Sequence, residues 1–311
     1  MILTLIMMLI VAAAWLAVAV LPPVVAGLAS RTIIAINDHL DRDESAIARR
    51  VPNGWAARLL DLPLIVLLAI PLVLGLWLFF GILEEVAEGD SIVDLDKVVF
   101  EFLRSLRSAP FDRAMIAITG LGDAHVVMPV TLAGLVALAG FKRWRAALYL
   151  MTATAGAAIF VAGVKRVIQR PRPVAIYDGL AEYSFPSGHA CMSVVLYGFL
   201  AMLLVQAAVP GWRRVIAFAT LLLIAMISFS RLYLGAHWLS DVAAGIAFGI
   251  AWIALLTILY LRHDAIPAPA PVFASVLLAA FVIAGYIHTT RDLAKETTRY
   301  AVPNLNSKPR P

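Results

Sequence analysis

Eight stretches of this chain run for about twenty residues with almost no charge: roughly 2–21, 62–83, 114–140, 146–164, 190–209, 215–233, 241–261 and 272–288. A helix needs about 20 apolar residues to cross the hydrocarbon of a bilayer. Inside lipid the backbone must satisfy its own hydrogen bonds, which leaves helices or closed barrels. No period-two alternation points to strands, and no internal repeat emerges. The sequence therefore predicts an all-α polytopic membrane bundle of about eight spans. The third run is interrupted by Asp123 and His125, and Arg231 lies near the end of the sixth.

Composition agrees. Of 311 residues, 62% are hydrophobic and only 14% charged, against about 45–50% and about 25% in soluble domains. An ordinary cytosolic enzyme, a disordered regulator and a disulfide-stapled secreted domain are excluded. The single cysteine, Cys191, has no partner for an internal disulfide, and no cysteine–histidine zinc spacing is present. The net charge of +5 comes largely from residues between the apolar runs. It reads as loop charge that orients spans rather than as a nucleic-acid surface.

The first run lacks a positive leader and is longer than a signal-peptide core, although Gly27 and Ala29 could pass for a cleavage site. We expect an uncleaved span ending at Pro22 and Pro23. Residues 30–61 form a polar linker. Residues 92–108 place Val93, Leu95, Val98, Val99, Phe102, Leu103 and Leu106 near helical spacing. That pattern fits an amphipathic helix on the membrane surface or a connector packed on the bundle. The tail after 289 is polar and Pro-containing, and reads as a linker or a frayed end.

Three segments put costly polar groups at the edges of apolar helices, where they default to function. The first, 165–173, holds Lys165, Arg166, Arg170 and Arg172. It reads either as anchor charges or as an anion clamp. The second, 185–190, is Phe-Pro-Ser-Gly-His-Ala at the start of the fifth run. Pro186 and Ser187 are ordinary helix starters. The same helix start, with Gly188 permitting close approach, can also bind an anion, and His189 can serve as structure or as a general acid. The third, 230–241, joins the sixth and seventh runs. His237 and Asp241 are four apart and share a helical face. They form either a polar cap or an imidazole whose tautomer is fixed by a carboxylate. With this span order all three segments lie on one side, so cations, imidazoles and a helix start can converge on one anion.

These residues resemble the three signature motifs of the type 2 phosphatidic acid phosphatase family, in particular its bacterial membrane lipid phosphatases. Lys165, Arg172 and Pro173 match the first motif. Pro186, Ser187, Gly188 and His189 match the second, and Ser230, Arg231, His237 and Asp241 the third. The resemblance covers about 62–261, which implies a six-helix core there. Residues 1–61 would then form an N-terminal span and linker, and 262–311 a C-terminal span and tail. The resemblance implies a hydrolase of lipid phosphates or pyrophosphates that needs no metal or cofactor and works through phosphohistidine. By carry-over, His237 is the nucleophile, Asp241 orients it, and His189 protonates the leaving oxygen and then activates water. Lys165, Arg172, Ser187, Gly188 and Arg231 hold the phosphoryl oxygens. Arg166 and Arg170 are not fixed in the pattern and either widen the positive rim or anchor to headgroups. Asp123 reads as a site carboxylate or as a helix break. Cys191 reads as packing. Tyr177, Tyr183 and Phe185 read as core packing or as a lipid entrance.

Lys142, Arg143, Arg145, Arg213, Arg214 and Arg262 lie in short loops opposite the motifs. The positive-inside rule therefore places the site outside the cytoplasm, on the periplasmic side of an inner membrane. The expected partners are the bilayer and a lipid phosphate: phosphatidic acid, phosphatidylglycerol phosphate, undecaprenyl pyrophosphate or a lipid A phosphate. Haloperoxidases share the motifs but are soluble. A lipid phosphotransferase, or a non-catalytic carrier or flippase gripping headgroups, are the rival functions.

Overall fold

A computed structural model describes residues 55–89, 91–175, 179–262 and 269–300, together with positions 6, 8 and 9. Apart from those three positions, the first apolar run lies outside the described residues. So do most of the polar linker, Tyr177 and the tail beyond Tyr300.

Nine α-helices carry the described chain. They are α1 (Trp55–Glu88), α2 (Ser91–Ser105), α3 (Ala109–Gly120), α4 (Ala124–Gly140), α5 (Trp144–Ile168), α6 (Gly188–Ala207), α7 (Pro210–Tyr233), α8 (Leu239–Leu261) and α9 (Ala270–Arg299). A short 3-10 turn covers Gly179–Glu182. Seven segments are long and apolar enough to cross a membrane, counting α3 and α4 together as Ala109–Gly140. The described residues contain no strand, and one isolated bridge pairs Pro171 with Tyr183. The chain is an all-α integral membrane protein.

Helices α6 and α8 form the inside of the bundle. In each, 61% of the most apolar window is buried, against 11% in α1. Helix α8 packs on α1 and α6, α6 on α7 and α5, and α9 along α4. The core joins Phe79, Leu150, Phe185, Phe199, Leu196, Phe248 and Phe273. Phe160 stacks on Phe248 with ring centroids 3.6 Å apart. Outward, Trp77, Met128, Ile159, Val167 and Ile283 remain exposed, as expected where lipid is the solvent.

Small residues let the inner helices approach, as is usual where helices pack inside lipid. A Cβ on Gly245 of α8 would fall 2.6 Å from the Ser187 carbonyl, and one on Gly249 2.9 Å from Val194 Cβ. On α1, a Cβ on Gly75 would fall 2.6 Å from the Ala247 carbonyl. Gly245 in particular brings the start of α6 against α8, which joins the second and third motif segments.

The third run breaks at Leu121–Asp123. Asp123 caps α4, its carboxylate accepting from the His125 N–H at 2.9 Å. The tail reading needs correction for 289–299. These residues continue α9 without interruption, and Leu293 and Tyr300 pack with Met115, Ile116, Tyr233 and Leu234 in a second apolar cluster. That cluster holds the end of α9 in place, so it is neither frayed nor a linker. Helix α2 packs on the bundle as a connector. It turns Asp96 and Leu103 inward against α8, α1 and α7, and leaves Leu95, Val98 and Phe102 exposed as an apolar strip.

Candidate active site

The three motif segments meet at one end of the bundle. Helix α5 ends with Gln169 in a left-handed conformation (φ 49°), just before Arg170 and Pro171. A residue preceding proline is disfavoured in the helical region, so the chain leaves the helix there. The loop folds back on itself: the Ser184 N–H donates to the Arg170 carbonyl at 2.8 Å. Lys165, on the last turn of α5, is buried and donates to the Tyr183 carbonyl.

Ser187 caps α6, its hydroxyl accepting from the Ala190 N–H at 3.4 Å. Its own N–H donates to the Asp241 carbonyl at 2.9 Å, tying the second motif to the third. Gly188 opens the helix. A Cβ there would meet only Val161, at 3.6 Å, so internal packing does not require glycine. Helix α7 ends by reversing at Gly235, whose positive φ of 69° suits a residue without a Cβ. The reversal delivers His237 to the start of α8.

His237 is the centre of the arrangement. Arg172 Nη1 donates to His237 Nε2 at 2.9 Å. Arginine has no acceptor to offer, so Nε2 carries the lone pair and Nδ1 the proton. That proton faces Asp241 Oδ2 at 3.3 Å. Arg172 also donates to the Ala236 carbonyl at 2.6 Å and, through Nε, to the Ala181 carbonyl at 2.8 Å. Burial, and then the charges of Arg172, Arg231, Lys165 and His189, hold the His237 pKa well below the ordinary imidazole value.

Asp241 is fully buried. Its Oδ2 accepts the Trp238 N–H at 2.9 Å and its Oδ1 accepts Arg170 Nη1 at 2.7 Å. Arg170 is therefore neither rim nor headgroup anchor. Its Nη2 donates to Asp96 Oδ2 at 2.6 Å, and Nη1 also reaches the Ser240 hydroxyl at 2.6 Å. Asp96 in turn accepts the Ser240 N–H at 2.8 Å and the Ser240 hydroxyl at 2.5 Å. Arg166, by contrast, stays exposed. Asp96 was missed in the sequence because α2 reads as an ordinary amphipathic helix. The available signal was a carboxylate in register with inward Leu103.

Arg231 is fully buried. Its Nη1 reaches the Thr119 hydroxyl and the Tyr300 hydroxyl, each at 2.8 Å. Tyr300, from the end of α9, was not anticipated. His189 points its Nε2 toward Asp123 Oδ2 at 3.8 Å. Asp123 is thus both a helix cap and the neighbour of a motif histidine. Cys191 and Phe185 are buried packing residues.

Residues 146–265 match the PAP2 superfamily. The chain is 28% identical over 195 residues to an undecaprenyl-diphosphatase of Sulfolobus acidocaldarius, covering 60% of this chain and 88% of that protein. It is 25% identical over 180 residues to phosphatidylglycerophosphatase B of Bacillus subtilis, covering 57% and 88%. It is 34% identical over 126 residues to a lipid A 1-phosphatase of Rhizobium etli, covering 37% and 50%. Among solved structures, a transmembrane PAP2-type phosphatidylglycerolphosphate phosphatase from Bacillus subtilis superposes with a TM-score of 0.55 at 21% identity. That match covers 61% of this chain and 98% of the other and shows a shared fold.

Two outcomes follow from this geometry. Asp96→Ala leaves Arg170 Nη2 and the Ser240 N–H without their carboxylate, a loss of roughly 1.5–3 kcal/mol. If Asp96 positions Asp241 and His237, kcat falls about 10–100-fold with little change in KM. An unchanged kcat in protein of unchanged thermal midpoint would remove Asp96 from that role. The second concerns pH. An imidazole can act as a nucleophile only when unprotonated, and a depressed pKa keeps His237 unprotonated as the pH drops through 6.5. The acid limb of kcat/KM therefore lies well below that value. Arg172→Gln removes one depressing charge and shifts the residual activity's acid limb upward. A limb that stays in place would argue that another group sets it.

Proposed function

From the membership of residues 146–265 in the PAP2 superfamily, we propose that this membrane protein removes phosphate from a lipid phosphate or pyrophosphate through a phosphohistidine on His237. One observation carries the reading. The His237 lone pair on Nε2 is met by Arg172 at 2.9 Å, on the opposite side of the ring from Asp241. Lys165, Arg231 and His189 lie close enough to act on the same imidazole. A tetrahedral anion entering there exchanges Arg172's carbonyl contacts for phosphoryl oxygens and leaves Nε2 aimed at phosphorus.

The steps balance. Nε2 attacks phosphorus, the bond to the lipid oxygen breaks, and His189 gives its proton to the leaving oxygen. Water then attacks the phosphohistidine, His189 takes the water's proton, the P–N bond breaks and inorganic phosphate leaves. Lys165, Arg172, Arg231 and the backbone at Ser187 and Gly188 hold the oxygens on which charge accumulates. Phosphoryl transfer depends mainly on such positioning and charge stabilisation, and the covalent intermediate divides the work into two easier steps. The role of Asp241 is to hold the Nδ1 proton and the ring orientation. No step calls for a metal or a cofactor.

The relatives' names share a phosphate on a lipid and differ in the lipid: an undecaprenyl diphosphate, a phosphatidylglycerophosphate and lipid A. The motifs read the phosphate. We propose the first two of these lipids and phosphatidic acid as the substrate range to be tested. We also place the site outside the cytoplasm, on the outer side of an inner membrane. The basic loops at Lys142, Arg143 and Arg145, at Arg213 and Arg214, and at Arg262 support that orientation, since all follow or precede the opposite ends of α4–α8.

The test is phosphate release by purified protein in detergent with a chelator present, beside a His237→Ala control. Release from a lipid phosphate that resists chelation and disappears in the variant is the expected result. Release unchanged in His237→Ala overturns the nucleophile. Lipid movement without phosphate release, unaffected by His237→Ala, would make the protein a carrier. For sidedness, Glu182→Cys is expected to react with an impermeant maleimide in intact cells and Lys142→Cys to be protected. The reverse pattern inverts the orientation.

A further inference from the structure

Beside the phosphate site, and outside the residues that match the family, four side chains gather from two distant parts of the chain. Asp123 and His125 come from the α3–α4 break, and His288 and Asp292 from the C-terminal half of α9. Ligand atoms of Asp123, His125 and His288 all lie within 4.8 Å of one another. The two imidazoles are parallel, 9° apart in plane, with centroids separated by 5.5 Å. His288 Nδ1 is held by Asp292 Oδ2 at 3.0 Å, an i,i+4 pair on one helix face, so Nε2 is the nitrogen left to bind.

We propose that Asp123, His125 and His288 form a binding site for a divalent transition metal ion of the zinc class, with Asp292 as the positioning carboxylate behind His288. Four observations support it. Two imidazoles and a carboxylate are the donor set that suits zinc, cobalt, nickel or copper, whereas magnesium and calcium want oxygen alone. A carboxylate behind a ligating histidine fixes its tautomer and orients the ring, the usual outer-shell device of such sites. His125, His288, Asp292 and Arg291 line one cavity, and Asp123 adjoins it through His125 Nδ1, 2.6 Å from its Oδ1. The ring of His288 is seated by the backbone itself: a Cβ on Gly120 would fall 2.6 Å from its Cδ2 and 2.9 Å from its Nε2.

The site is reachable. The His125 side chain is 75% exposed and that of Asp123 31%, while that of His288 is only 11% exposed. An ion can therefore arrive from solution and be gripped against a fixed inner ligand. Modest side-chain rotation brings the three donors to the ~2.0–2.2 Å that zinc requires, leaving a fourth position for water. The carboxylate that would bind the ion is also the one that faces His189 at 3.8 Å. Occupancy would therefore tie α9 to the α3–α4 break and withdraw from His189 its nearest carboxylate. The binding claim does not depend on the phosphatase reading.

The experiment uses full-length protein without a polyhistidine tag, stripped with chelator and titrated with Zn2+ by calorimetry. Co2+ absorption serves as a second probe. One ion per chain is expected, and His125→Ala and His288→Ala should each weaken binding at least tenfold while phosphate release without metal stays as in the parent. Gly120→Ala retains every ligand but displaces the His288 ring, and should also weaken binding. His237→Ala should bind as the parent does. Three results would overturn the site: no stoichiometric Zn2+ binding, affinity unchanged from the parent in both histidine variants, or binding lost in His237→Ala and kept in His288→Ala. The last would assign the ion to the phosphate site.

Discussion

Arg170 stands between two carboxylates withdrawn from water, Asp96 on α2 and Asp241 on α8, at 2.6 and 2.7 Å. Neither carboxylate could be buried alone without a large desolvation cost, and one guanidinium with good geometry offsets both. Its planar fork is what makes this possible. One nitrogen serves each acid, where a lysine would offer a point charge. The rest of the site hangs on that link. Asp241 Oδ2 faces His237 Nδ1 at 3.3 Å, the backbone of Asp241 receives Ser187, and Asp96 fixes the first turn of α8 through Ser240. The aromatic plane of Trp238 completes the enclosure, with the Arg170 guanidinium 5.6 Å from its centre.

That polar chain needs inner helices that lie unusually close. Apolar side chains face lipid as readily as protein, so burial alone does not pull helices together in a bilayer; close backbone contact does. Gly245 and Gly249 supply it between α8 and α6, and Gly75 between α1 and α8. The start of α6, with Ser187 and Gly188, is then fixed at the level of His237 by packing deeper in the bundle. Above it, the small apolar cluster of α3, the end of α7 and the last turns of α9 covers Arg231.

Much of this was legible in the sequence. Apolar runs mark helices because lipid leaves the backbone no other partner, and the motif residues are short-range patterns on helix ends. What could not be read depends on pairs far apart in the chain. Asp96 sits on a helix whose local pattern says only amphipathic, and its meaning appears when Arg170 arrives 74 residues later. Residues 289–299 lack an apolar stripe strong enough to announce a helix, and their order comes from Tyr300 docking on a cluster built by other helices. Asp123 offered two readings, helix break or site carboxylate; it caps α4 at the break and, because that break falls beside His189, also lies 3.8 Å from it. His288 and Asp292 carry the i,i+4 spacing of a paired face, but their company with His125 is purely tertiary.

The contact between Tyr300 and Arg231 bears on what counts as the protein's smallest working unit. The stretch shared with the superfamily, 146–265, contains every motif residue, yet Arg231 is held by Thr119 and Tyr300, and Arg170, which holds Asp241, is itself held by Asp96. Cut to the shared stretch, the chain would keep its signature and lose the walls around it. The boundaries of inheritance and the boundaries of mechanical support therefore differ here. A relative could preserve all eleven signature residues while bracing its arginine in some wholly different way.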